Sequence, residues 1–69
     1  MTHQPYTSPI RTRKAADSFV VEDANGIALA DVYFEDDSTR RGLVNRLSGA
    51  DAKAGAQNIA RALTEDAAG

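Results

Sequence analysis

The dipeptide Asn25-Gly26 restricts this chain more than any other feature. Both residues accept positive φ at low steric cost, which makes the pair a strong short-range turn signal. It stands between two β-rich runs, Phe19-Val20-Val21-Glu22 and Ile27-Ala28-Leu29-Ala30-Asp31-Val32-Tyr33-Phe34. Those runs hold both phenylalanines and three of the four valines. Everything after Phe34 reads as helix, and the hairpin is the one platform the sequence offers such helices.

The turn is expected as type I on Ala24-Asn25 with Gly26 left-handed, and Asp23 is placed to close it as an Asx-turn. That geometry pairs Asp23 with Ile27, Val21 with Leu29 and Phe19 with Asp31. Side chains alternate along a strand, so Phe19, Val21, Ile27, Leu29 and Tyr33 would share one face. Val20, Glu22, Ala28, Ala30, Val32 and Phe34 would share the other. A two-residue loop would regroup these sets, because one step of register flips a strand. Two strands alone are marginal in water, so one face must be covered by the later helices.

Sixty-nine residues allow one domain at most, and a core of this size lies near the stability limit. The chain has no cysteine, which rules out disulfides and thiolate metal sites. The single histidine, His3, lies in a polar leader and is no basis for a structural zinc site. No run approaches the roughly 20 apolar residues of a membrane span. The start Met-Thr-His-Gln-Pro lacks the pattern of a secretory signal, so a cytoplasmic location is expected. Net charge is −2 but unevenly spread. Residues 1–14 hold Arg11, Arg13, Lys14 and no acid, while the remainder carries ten acids against five bases. An overall basic balance, the usual mark of a nucleic-acid binder, is missing.

Residues 1–16 hold both prolines and no sustained period, and are expected to be a disordered basic leader. Its cluster Ile10-Arg11-Thr12-Arg13-Lys14 is first a solubilising tail, second a contact for nucleic acid or an acidic surface, and third an extra edge strand. A single ββαα domain is expected over 17–64. The acids Glu35-Asp36-Asp37 end the second strand, and Asp37 or Ser38 is placed to cap a helix over 39–47, a role favoured over cation binding. Leu43, Val44 and Leu47 would form that helix's apolar side, with Gly42 out of place in it. Ser48 and Asp51 mark a restart, and a second helix runs from Ala50 to about Thr64. Its buried stripe is Ala52, Ala56, Ile59, Ala60 and Leu63, and Lys53, Gln57 and Arg61 form a polar outer stripe. Residues 65–69 are expected to fray.

Catalytic chemistry finds little purchase. No cysteine nucleophile exists, and the serines lack a histidine in the folded part to activate them. The carboxylate groups at 22–23 and 35–37 sit at strand ends, where solvated turn acids are common. Asp31 falls mid-strand, where an exposed edge or an arginine partner explains it better than a catalytic role. The glycines have no phosphate-loop spacing. Stacking of bases on Phe19, Tyr33 or Phe34 is disfavoured by the acids of the hairpin.

Val21-Glu22-Asp23-Ala24-Asn25-Gly26, Leu29-Ala30-Asp31-Val32-Tyr33-Phe34-Glu35-Asp36, Arg40-Arg41 and the helical run Ala56-Gln57-Asn58-Ile59-Ala60-Arg61-Ala62-Leu63 together resemble a group of short, uncharacterised alphaproteobacterial proteins. The resemblance covers about residues 18–63 and implies a β-hairpin followed by helices, with no activity attached. The group often has an aromatic residue where Asp31 stands here, so that face is expected to differ.

The expectation is therefore an α+β fold, a hairpin with two helices packed on one face and a disordered leader. Its core would draw on Val20 or Val21, Leu29, Val32, Phe34, Leu43, Leu47, Ile59 and Leu63. The expected function is a small non-enzymatic protein–protein interaction module, a homodimer or the binder of a small protein partner. Its contact surface would be Phe19, Val21, Ile27, Leu29 and Tyr33. The alternative is a weak nucleic-acid binder using Arg11, Arg13, Lys14, Arg40, Arg41 and Arg46. No cofactor or metal is expected.

Overall fold

The computed structural model describes residues 5–68; His3 and Gly69 lie outside them. The turn forms as its residues dictate. Gly26 has φ +80 and its N–H donates to the Asp23 carbonyl at 3.0 Å, while the Asp23 N–H donates to the Ile27 carbonyl at 3.0 Å. Asp23 Oδ1 accepts the Asn25 N–H at 2.9 Å, which is the expected Asx-turn.

The turn joins β2 (Ser18–Glu22) to β3 (Ala28–Tyr33). A third strand, β1 (Arg11–Lys14), lies antiparallel on the other side of β2, so the sheet order is β1-β2-β3. The sheet thus has three strands rather than two. The disordered leader expected over 1–16 gives way, in its last part, to an edge strand inside the domain. Ile10, just before β1, is buried in the core at 7% exposure. The alternation of Arg11, Thr12, Arg13 and Lys14 gave no apolar face to read, because ladder bonds and the burial of Ile10 hold the strand in place.

Register departs from expectation for a definable reason. Near the turn the pairing is as expected, with Glu22 opposite Ala28. Leu29 is then an extra residue, a β-bulge, and beyond it Val21 faces Ala30 and Phe19 faces Val32. One step flips every later side chain of β3. Val32 and Phe34 therefore join Phe19 and Val21 on the covered face, and Asp31 and Tyr33 turn to the other face with Val20. The Phe19 and Phe34 rings lie 5.4 Å apart at 40°, a favourable tilted pair. Without the bulge, Asp31 would point into the core as an unpaired charge.

Two helices follow, α1 (Ser38–Val44) and α2 (Gly49–Ala68). Asp37 caps α1, accepting the N–H groups of Thr39 and Arg40 at 3.0 and 3.1 Å. Asn45, left-handed at φ 54, closes its C-terminus. Ser48 caps α2 by accepting the Asp51 N–H at 3.2 Å. Asp36 Oδ1 accepts the Gly49 N–H at 2.8 Å, so close that a Cβ at position 49 would meet that oxygen at 2.9 Å. Residues 65–68, expected to fray, continue α2.

The core is small and alanine-rich. Val21, Ala52 and Ala56 are fully buried, with Ile10, Phe19 and Ala60 beside them, and Leu63 is partly buried against the cluster. The period of Ala52, Ala56 and Ala60, with Leu63 beyond it, places mostly methyl groups against the sheet, which lets α2 lie close over β2. Of the two helices, α2 alone packs on the sheet among the described residues. No residue of α1 is buried, and α1 packs on no strand or helix among the described residues. Leu43 and Leu47, expected in the core, are 80% and 47% exposed, and Ile59 is 38% exposed. Nothing lies within 4 Å of a Cβ at Gly42, so that glycine marks no close approach. The molecule measures 49 × 18 × 15 Å, with a radius of gyration of 13.5 Å. A compact chain of this length would have about 11 Å.

Candidate interaction surfaces

Asp23 is the polar centre of the fold rather than a reactive group. It is 1% exposed, and its carboxylate accepts backbone N–H groups from Ile27 (3.0 Å), Thr7 (3.1 Å) and Asn25 (2.9 Å). The Ala24 N–H donates back to the Thr7 carbonyl at 2.8 Å, so the segment before β1 is stitched to the turn. Beside Thr7, Tyr6 donates its phenol to Asp66 Oδ2 at 2.7 Å, which raises the phenol pKa.

The Ile27 bond, aided by those from Thr7 and Asn25, outweighs desolvation and lowers the Asp23 pKa. A depressed folded pKa adds stability that is fully present above the unfolded value, about 4, and is lost as pH falls through the folded one. Asp23→Asn is therefore expected to be less stable than the parent at neutral pH and to lose less stability on acidification below about pH 4. Urea melts across that range test it. Parallel losses in parent and variant would remove Asp23 from the acid response.

The five residues expected to form one contact surface are divided. Phe19 and Val21 are buried under α2 and cannot serve as surface. Leu29 is half-buried against the core at the bulge, Ile27 is exposed beside the turn, and Tyr33 is exposed on the face without a helix. On that face Arg13 bonds Glu22 at 3.3 Å, and Arg46 bonds Asp17 at 3.2 Å with its guanidinium 4.9 Å from the Tyr33 ring centre. Val20 is buried there between its cross-strand partners Arg13 and Asp31. Asp31 is exposed and accepts from Ser18 Oγ at 3.4 Å, a weak bond, with no arginine beside it among the described residues.

The six basic residues expected to contact nucleic acid do not converge. Strand alternation puts Arg11 and Arg13 on the helix-free face and Lys14 on the other, where its Nζ lies 5.8 Å from the Phe34 ring centre. Arg40 pairs with Glu35 at 3.1 Å. Arg41 donates to the carbonyls of Glu35 (2.7 Å) and Asp36 (3.1 Å), fixing the β3–α1 connection. The acids 35–37 are thus divided among an ion pair, the start of α2 and the cap of α1. Among the described residues no three His, Cys, Asp or Glu side chains cluster for a metal, and no helix is long and apolar enough to cross a membrane.

What the chain presents instead is uncovered apolar surface and a cleft. Leu43, Val44 and Leu47 stand exposed on α1 and its exit. The Leu47 segment is anchored by the Glu35 N–H donating to the Leu47 carbonyl at 2.8 Å. The cleft runs between β1 and α2 and had no signal in the sequence, because it depends on β1 joining the sheet.

The architecture defines an α+β protein, a three-stranded antiparallel sheet with one long helix across it. No protein-family model matches the chain, and no curated protein or solved structure shows significant similarity to it.

Proposed function

We propose that this protein is a small, non-enzymatic protein–protein interaction module that self-associates through α1 and its exit rather than through the hairpin face. The supporting observation is the exposure of Leu43, Val44 and Leu47 on an element that adds nothing to the core. A seven-residue helix is too short to be stable on its own propensity, so docking of its apolar side is its natural source of stabilisation. A second copy suits the patch. The arginines at its rim, Arg40 and Arg46, are each matched by an acid of the same chain, so two identical patches meet without like-charge repulsion. The same pairing, together with the use of Arg41 on carbonyls, favours a protein partner over nucleic acid. A cytoplasmic setting belongs to this proposal, since a cysteine-free chain held by packing alone needs no oxidising compartment.

Sedimentation velocity from about 5 μM to about 500 μM tests it: dimers are expected in the parent, near the affinity range of small transient interfaces. Leu43→Glu is expected to stay monomeric while its dilute-solution stability shifts by no more than about 0.5 kcal/mol, as for an exposed site. A parent that is monomeric throughout would end the proposal.

A further inference from the structure

Two cavities lie between the sheet and α2, one near each end of the helix. At one end a cavity of 480 Å³ is lined by Lys14, Phe19, Phe34 and the start of α2. At the other end a cavity of 400 Å³ is lined by Ile10, Arg11, Gln57 and Arg61. Thr12, on β1, lines both.

That edge is open in a definite pattern. The Ala15 N–H donates to the Ser18 carbonyl at 2.8 Å, and Arg13 and Arg11 lie opposite Val20 and Glu22 in the same register. Hydrogen-bonded and non-bonded pairs alternate in an antiparallel ladder. Arg11 and Arg13 therefore bond to β2, and Thr12 and Lys14 direct their N–H and C=O groups away from the sheet. β1 runs along α2 with Lys14 near its start and Ile10 near its end. Lys53, Gln57, Arg61 and Glu65, four residues apart on α2, overlook the cleft.

Charge selects the occupant. The cleft carries three basic side chains (Lys14, Lys53 and Arg61) and two acids, in a chain whose net charge is −2. One of the acids, Asp36, already accepts the Gly49 N–H. Spacing agrees with an extended chain. Alternate residues of a strand repeat every ~6.7 Å, and every fourth residue of a helix recurs at ~6 Å. Acids at alternate positions of a strand thus keep step with Lys53 and Arg61.

We propose that this cleft binds an acidic, extended peptide of a partner protein, which adds to β1 as a fourth strand through Thr12 and Lys14 and directs its carboxylates at Lys53 and Arg61. The site is separate from the α1 patch, and Leu43→Glu leaves it intact.

The probe is a fluorescein-labelled decapeptide of alternating Glu and Thr, with a Lys-Thr decapeptide and a dT oligonucleotide beside it. Fluorescence polarisation at about 50 mM salt is expected to show saturable binding of the acidic peptide alone, weakened as salt screens the contact. Lys53→Glu with Arg61→Glu, both exposed and free of core contact, is expected to weaken binding at least about tenfold. Thr12→Pro removes an outward N–H and no ladder bond, and is expected to weaken binding while the fold persists. In amide exchange the peptide is expected to protect Thr12 and Lys14. Failure of the acidic peptide to bind, binding indifferent to the charge reversal, unprotected Thr12 and Lys14 amides, or preference for the oligonucleotide would each overturn the proposal.

Discussion

Phe19→Ala is expected to remove most of the stability of this protein. Phe19 is 9% exposed, belongs to the main cluster and stacks at a tilt on Phe34. Truncating a buried phenylalanine costs about 3–5 kcal/mol, through lost transfer free energy and the cavity left behind. A chain of this length has about 3–10 kcal/mol in total. The rest of the core cannot close over the cavity, since its other members are two aliphatic side chains and three alanines. Thermal melting followed by circular dichroism should show a midpoint lowered by at least about 15 °C, or no cooperative transition. A loss below about 1 kcal/mol would mean that Phe19 is not enclosed as described.

Ala56→Leu is expected to have the second largest effect, by overfilling rather than emptying. Ala56 is fully buried, one turn from Ala52 and one from Ala60. Three added carbons must enter the space between α2 and β2, where the helix presents alanine methyl groups to the buried side chains of Phe19 and Val21. Overpacking of this kind typically costs about 1–3 kcal/mol, and the strain moves α2 off the sheet. Ala54→Leu is the matched control, because Ala54 is exposed on the same helix and its substitution should change stability by less than about 0.5 kcal/mol. Urea denaturation of the two variants separates the cases. Equal stabilities would place the tight contact elsewhere.

The candidate surfaces were less legible than the fold. Each arginine in the sequence looked equally available, and the structure sorted them by their surroundings: Asp17 for Arg46, the carbonyls of Glu35 and Asp36 for Arg41, the helix-free face of the sheet for Arg11. The apolar spacing of Leu43, Val44 and Leu47 was read as one side of a helix over 39–47, but the helix ends at Val44 and Leu47 lies beyond the left-handed Asn45, bridged to Phe34. The polar stripe Lys53, Gln57 and Arg61 was visible as a stripe. That it overlooks a strand edge depends on β1, whose own residues carry no alternation of apolar and polar.

Local chemistry was sufficient for the turn, for the helix starts and for the buried side of α2, but not for the end of α1, which was expected at Leu47 and falls at Val44. Asp23, Asn25 and Gly26 specify the turn, Asp37 and Ser48 specify where the helices begin, and the alanine period specifies which side of α2 is buried. Tertiary structure alone decided the rest. The bulge at Leu29 exists because α2 needs Val32 and Phe34 beneath it and Asp31 outside. The third strand exists because Ile10 and the free side of β2 complete each other across the chain. Both outcomes turn on the free energy of contacts between distant segments, which no local window of the sequence contains.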